Sequence, residues 1–226
     1  MLSALEQLKN KQLIWRGGEQ LPLGDAFTSG YQALDDKLSG GLPSNSVIEL
    51  KTENGIGELR LLMPSICAQQ AQGLVVLITP PAQINAEFLQ IAGLNLEQVL
   101  LLEITETKDA LWCAEQSLKS GCCSTVILWH QQIEIHQARR LNLAAEKGHA
   151  RLVLIRQSAT SFFALPVALS MTLSPHRQGI KASIDKRRAG KTHQEFLLNM
   201  RTFWPDLTLP TYADNVVHLT QQHVVL

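Results

Sequence analysis

The stretch ELKTENGIGELRL, from Glu49 to Leu61, holds residues in the frame that phosphate chemistry uses. An apolar strand leads in, glycines turn the chain, and a leucine-rich helix leads out. A working phosphate loop has the form GxxxxGK[ST]. Its backbone N–H groups cradle the phosphates, its lysine neutralises them, and its hydroxyl ligates magnesium. The octet in register here is Thr52 to Leu59. Thr52 stands at the first glycine and Gly57 at the second, with Gly55 between them. Glu58 replaces the lysine and Leu59 replaces the hydroxyl. Two unit charges about 4 Å apart interact by roughly 4 kcal/mol at an effective dielectric near 20, and exchanging attraction for repulsion doubles that swing. The loop keeps a nucleotide-site frame without its chemistry. No nucleotide cofactor, no metal and no catalysis are expected from it.

Three other groups of reactive residues invite a reading. The run HRQGIKASIDKRRAGK, residues 176–191, sets six cations against one acid, Asp185. Arg177, Lys181, Lys186, Arg187, Arg188 and Lys191 are candidates to touch DNA phosphates or an acidic partner surface. The same run reads as a solvated edge strand whose lysines deter unwanted pairing. The nearest aromatic residue, Phe196, lies outside it, so base stacking is not expected. His130, His136 and His149 lack a ligand pattern that would complete a metal site. Cys67, Cys113, Cys122 and Cys123 form no paired CxxC motif and read as reduced thiols. A GxSxG elbow is absent as well.

Positioning these residues takes a regular frame. From residue 47 onward, short apolar runs alternate with helical patterns. VIEL, LVVLIT (74–79), VLLLE (99–103), TVILW (125–129) and RLVLIR (151–156) read as strands. Leu59–Gln72, Ala82–Ala92, Lys108–Lys119 and Glu134–Lys147 read as helices, the last three stopped by Gly93, Gly121 and Gly148. Pro64 is expected in the first turns of its helix, where a missing N–H is tolerated. Strands of this kind joined by helices imply crossover units and a parallel sheet buried on both faces. After residue 165 the helical period vanishes. ALSMTLSP, IKASIDKRR and EFLLNM read as an antiparallel extension, with Gly179 at a hairpin connection. The expected fold is thus α/β: a doubly wound, mostly parallel sheet with helices on both faces and a C-terminal antiparallel β extension. Residues 1–24 are read as an amphipathic helix and linker, 25–201 as the core and 202–226 as a tail. Leu2, Leu5, Leu8 and Leu13 mark the helix, which reads equally as packed on its own domain or as an arm docking on a partner.

Composition sets the outer bounds. The chain has 226 residues and carries 20 basic and 20 acidic side chains, so no global field draws it to nucleic acid or an anionic membrane. Its apolar runs are too short to span a bilayer. The N-terminus lacks a basic start followed by an apolar core, so it does not look like a secretory signal, and a cytoplasmic location is expected.

The flanks of the loop add a resemblance. Ser29-Gly30-Tyr31, Leu34-Asp35 and Leu38-Ser39-Gly40-Gly41-Leu42-Pro43 precede VIEL and its Glu49. This resembles the stretch before the phosphate loop of the RecA family. Two acidic ATPase positions of that family are missing here. One corresponds to Thr79-Pro80-Pro81, the other to the strand Val126–Trp129 running into His130. The resemblance therefore implies a RecA-like core that does not handle nucleotide.

Degenerate relatives resemble the chain more closely. IWRGG, SGYQALDDKLSGGLPS, GIGELRLLMP, DALWCAEQSLKSG, RRLNLAAEKG and KRRAGK resemble the ImuA family, over most of residues 13–200. That family implies an accessory role in SOS-induced mutagenic translesion DNA synthesis. Its implied partners are an ImuB-like inactive polymerase, RecA and a DnaE-type error-prone polymerase. LITPPAQINAEFLQIAGLNLEQV and residues 109–156 are also similar to the SulA family, whose members block cell division by binding FtsZ. SGYQALDDKLSGGLPS and the basic hairpin around Lys186 have no clear counterpart in SulA, which ranks ImuA first and SulA second.

Overall fold

A computed structural model of the chain describes residues 26–157, 164–187 and 195–205. Their centre is an eight-stranded sheet. In chain order its strands are β3 (Val47–Lys51), β4 (Leu74–Ile78), β5 (Val99–Leu102), β6 (Cys123–Trp129), β7 (Arg151–Arg156), β8 (Leu169–His176), β9 (Gly179–Arg187) and β10 (Glu195–Asn199). Two shorter strands, β1 (Ala26–Phe27) and β2 (Leu42–Pro43), pair with each other. The sheet order is β10-β9-β8-β3-β7-β6-β4-β5. From β8 to β5 all neighbours run parallel, while β9 and β10 are antiparallel. The mixed α/β sheet with its antiparallel extension agrees with the sequence pattern.

Among the described residues five α-helices connect the strands: α1 (Gln32–Leu38), α2 (Glu58–Gln69), α3 (Ala86–Ile91), α4 (Thr107–Lys119) and α5 (Ile135–Gly148). Side chains alternate across a strand, and this alternation splits the core in two. Ile48, Leu50, Val75, Leu77, Val153 and Ile155 face α1, α2 and α3. Val47, Val76, Ile78, Leu152 and Leu154 face α4 and α5. Each inner strand thus buries both faces, which is why its sequence is a continuous apolar run.

Three expectations need correction. The helix expected over Ala82–Ala92 spans only Ala86–Ile91. Asn85 sets the start by accepting the Phe88 N–H at 3.1 Å, which leaves residues 82–85 outside the helix. Pro64 is the seventh residue of α2, beyond the first turn. It therefore leaves the carbonyl of Arg60 without its helical donor. Finally, β5 is not buried on both faces. It is the last strand of the sheet, and Leu100 and Leu101 are 43% and 40% exposed. Among the described residues no helix is long and apolar enough to cross a membrane.

Candidate functional site

β3 runs directly into the loop. Thr52 is fully buried, and its N–H donates to the Arg156 carbonyl at 2.8 Å. Its hydroxyl donates to the Glu53 carbonyl at 2.9 Å. Thr52 thereby extends the β3–β7 register instead of opening a cradle. Gly55 and Gly57 then take φ values of 83° and 105°, a region that side chains with a Cβ rarely adopt. This backbone points two N–H groups at one place.

The carboxylate of Glu58 occupies that place. Its Oε1 accepts from the Gly55 N–H at 3.2 Å and its Oε2 from the Gly57 N–H at 3.1 Å. Glu58 is only 5% exposed. As the first residue of α2 it also sets a negative charge at the positive end of the helix dipole. A phosphate cradle built from backbone N–H groups would use the same donors. Here they are occupied by the chain's own acid. Leu59 offers no hydroxyl and packs against the core.

The carboxyl end of the sheet is closed in the same way. Glu49 and Arg156 form a buried ion pair at 2.6 Å, and Ser170 donates to the other Glu49 oxygen at 2.7 Å. Arg156 also donates from Nε to the Gln131 carbonyl at 3.2 Å. At the end of β4, Thr79 donates its hydroxyl to the Trp129 carbonyl at 2.7 Å. His130 follows β6 with its N–H on the Ile155 carbonyl, and burial pushes its imidazole pKa down. The two positions that the RecA resemblance marks as lacking an acid thus present a hydroxyl at Thr79 and an imidazole at His130.

A feature that the sequence reading missed lies beside α2. The orphaned Arg60 carbonyl accepts the indole N–H of Trp204 at 3.3 Å. The Trp204 ring packs on Phe88, with centroids 5.5 Å apart, and Phe203 meets Tyr31 edge-on at 5.1 Å. Arg60 lies over the Phe88 ring at 5.5 Å. Gly30 abuts Pro64 so closely that a Cβ there would come within 2.5 Å of the Pro64 Cβ. Residues 203 and 204 are therefore strapped to the core. The available signal was Pro64 itself, because a proline inside a helix always frees one carbonyl.

The basic run is dispersed. Arg177 is exposed in the β8–β9 turn. Lys181 pairs with Glu195 at 2.5 Å, and Lys186 donates to the Leu165 carbonyl at 2.6 Å. Arg187 is buried and donates to the Lys37 carbonyl at 2.6 Å, with burial lowering its pKa. Asp185 pairs with Lys51 at 3.3 Å. Arg188 and Lys191 lie outside the described residues, as do Leu2, Leu5, Leu8 and Leu13. His136 pairs with exposed Glu134, away from His130. Among the described residues no three His, Cys, Asp or Glu side chains gather as a metal site would require.

Comparison with known proteins bears on what this arrangement belongs to. A family model described as "Cell division inhibitor SulA" matches residues 40–151. The cell division inhibitor SulA of Pseudomonas aeruginosa is 33% identical over 151 residues, covering 61% of this chain and 92% of that protein. The crystal structure of SulA from Pseudomonas aeruginosa covers 49% of this chain and 97% of its own, at 30% identity and a TM-score of 0.41. RecA of Streptomyces venezuelae is 24% identical over 131 residues, 56% of this chain. The match spans 34% of that RecA, about a third of its length. The family model and the relative from Pseudomonas aeruginosa fall on the SulA side of the two resemblances, the one ranked second from the sequence. With a relative a third identical and matched over nearly its whole length, the chain belongs to the SulA family.

Proposed function

We propose that this protein is a non-catalytic, cytoplasmic inhibitor of cell division in the SOS response, acting by binding FtsZ. One observation carries the non-catalytic part: the Glu58 carboxylate fills the nest formed by Gly55 and Gly57. A polyphosphate entering there would have to displace a buried anion and then meet it at contact distance. Membership of the SulA family supports the choice of partner, because the relative from Pseudomonas aeruginosa carries the name of a cell division inhibitor. Within this reading the sheet is a RecA-like doubly wound core, kept as a scaffold after loss of its nucleotide chemistry.

The test is FtsZ assembly in GTP, followed by sedimentation. Added protein is expected to suppress polymer in proportion to its concentration, and strong expression is expected to give filamentous cells. Unchanged polymer and normal cell length would overturn the reading. Calorimetry with ATP and magnesium tests the loop separately. Binding that disappears on Gly57→Ala would restore a nucleotide site.

A second reading rests on residues beyond the family match. β8, β9 and β10 all follow residue 151, and SGYQALDDKLSGGLPS begins before residue 40. These parts support an ImuA-like accessory role in translesion synthesis, with an ImuB-like polymerase, RecA or a DnaE-type polymerase as partner. Co-purification with the ImuB-like protein or with RecA would favour it, and failure with both would remove it. Binding to DNA through Arg177 and Lys181 would show as a salt-dependent affinity.

A further inference from the structure

β5 ends the sheet, and its outer edge pairs with no strand among the described residues. An unpaired edge presents backbone donors and acceptors to any extended chain that reaches it. Folded proteins ordinarily blunt such edges with lysines, prolines or bulges. β5 has none of these, for it reads Val-Leu-Leu-Leu. The opposite edge of the sheet is guarded, since β10 opens with Glu195 in its ion pair to Lys181 on β9.

Apolar side chains are exposed within β5 and in the segment leading to it. Ile91 at the end of α3 is 76% exposed, Leu96 lies exposed just before β5, and Leu100 and Leu101 lie within it. Leu100 and Leu101 thus leave apolar surface on both faces of an unpaired edge strand.

Charge then selects the occupant. Between Arg60 and Lys108 the chain contains Glu87, Glu97, Glu103 and Glu106 and no Lys, Arg or His. All four glutamates are exposed. Glu97 and Glu103 bracket β5, one before it and one directly after. In a chain of zero net charge this is a local acidic rim around an apolar strand. A second copy of the chain would bring the same acids against themselves, which like-charge repulsion opposes.

We propose that β5 is a docking edge. It takes up, by strand addition, an extended segment of another protein that alternates apolar and basic side chains. The partner's backbone continues the sheet. Its apolar side chains cover Leu100 on one face, and on the other its cations lay their stems over Leu101 and meet Glu103, with Glu97 at the entry to the strand. The proposal does not depend on FtsZ being the partner. Loss of the FtsZ effect with peptide binding intact would separate the two.

The test uses the full chain and a labelled peptide, Lys-Val-Lys-Ile-Lys-Val-Lys, against Glu-Val-Glu-Ile-Glu-Val-Glu. Fluorescence anisotropy should show binding of the basic peptide only, weakening as salt screens the rim. Hydrogen exchange should slow, when that peptide is present, at the amides of residues 99–102 that point away from β4. Glu97→Lys with Glu103→Lys should weaken binding by about tenfold or more, consistent with reversing two rim charges, and leave the circular dichroism spectrum unchanged. Leu101→Lys should do the same through the strand itself. Equal binding of the acidic peptide, or binding without protection at residues 99–102, would overturn the proposal. So would protection, in the protein alone, of the amides among them that point away from β4. If that protection is independent of concentration, a segment of the same chain holds the edge. If it rises with concentration, a second copy does.

Discussion

The phosphate-type loop and the β5 edge treat their polar and apolar groups in opposite ways. At the loop the backbone donors of Gly55 and Gly57 are taken by Glu58, and nearby Glu49 is bonded on both oxygens. At the edge Leu100 and Leu101 remain half-exposed, and Glu97 and Glu103 make no ion pair with a described residue. The region whose sequence looks like a binding site has satisfied itself. The region whose sequence looks like an ordinary strand has not. A site inherited by a fold can thus be closed from within, while the capacity to bind lies at a surface that no motif marks.

That contrast predicts unequal costs for mutation. The largest should follow Arg156→Met, which leaves Glu49 as a buried charge without its partner. A loss of about 3–5 kcal/mol is expected in chemical denaturation. A loss below about 1 kcal/mol would mean that the closed end is wetter than its geometry implies. Glu58→Ala should cost less, about 1–3 kcal/mol, because two backbone donors lose a charged acceptor. It should still not confer ATP binding, since no lysine or hydroxyl replaces the lost acid. Detectable ATP affinity in this variant would mean that Glu58 alone had been blocking a competent loop.

Tyr31, packed against Phe203, supplies a pH test on the closed side. Burial pushes its phenol pKa up to about 12. The folded chain therefore holds this proton more tightly than the unfolded chain, whose phenol titrates near 10. The contribution is complete below about pH 10 and is lost as pH rises towards about 12. Tyr31→Phe should flatten this part of the alkaline stability curve, and parallel curves for both proteins would refute the assignment. The smallest effect is expected at the open side. Leu101→Lys should change stability by no more than about 0.5 kcal/mol. A larger loss would show that the β5 edge is already covered.

The sheet was legible because each inner strand is an unbroken apolar run, and each longer helix carries a period and a stop. LVVLIT and RLVLIR cannot be solvated, so their burial follows from composition alone. VLLLE has the same character, yet β5 lies at an edge. Strand order depends on which strands meet in space, and nothing within residues 99–103 records it. The degeneracy of the loop was legible from Glu58 and Leu59. The return of the Glu58 carboxylate onto Gly55 and Gly57 was not, because the sequence shows charge without showing direction. The basic run was misleading as one unit for a related reason. Lys181 lies on the exposed face of β9 and pairs with Glu195, but a bulge at Asp185 breaks the alternation, so that Arg187 is buried against the Lys37 and Ser39 turn. The aromatic strap of Phe203 and Trp204 required a pairing 144 residues apart, between Arg60 and Trp204, which local pattern does not reach.

The Trp204–Arg60 hydrogen bond has a consequence for synthesis as well as for stability. Helix α2 contains a carbonyl that its own sequence cannot satisfy, and the donor that completes it is made 144 residues later. At translation rates of about 5–20 residues per second, the Arg60 carbonyl must wait roughly 7–30 s for that donor to be made. Throughout that interval the nascent α2 has to keep this carbonyl in contact with water. The helix that follows the loop is therefore finished late, by residues near the other end of the described chain. A chain ending before residue 204 would contain every strand of the parallel sheet and still lack the donor that completes α2.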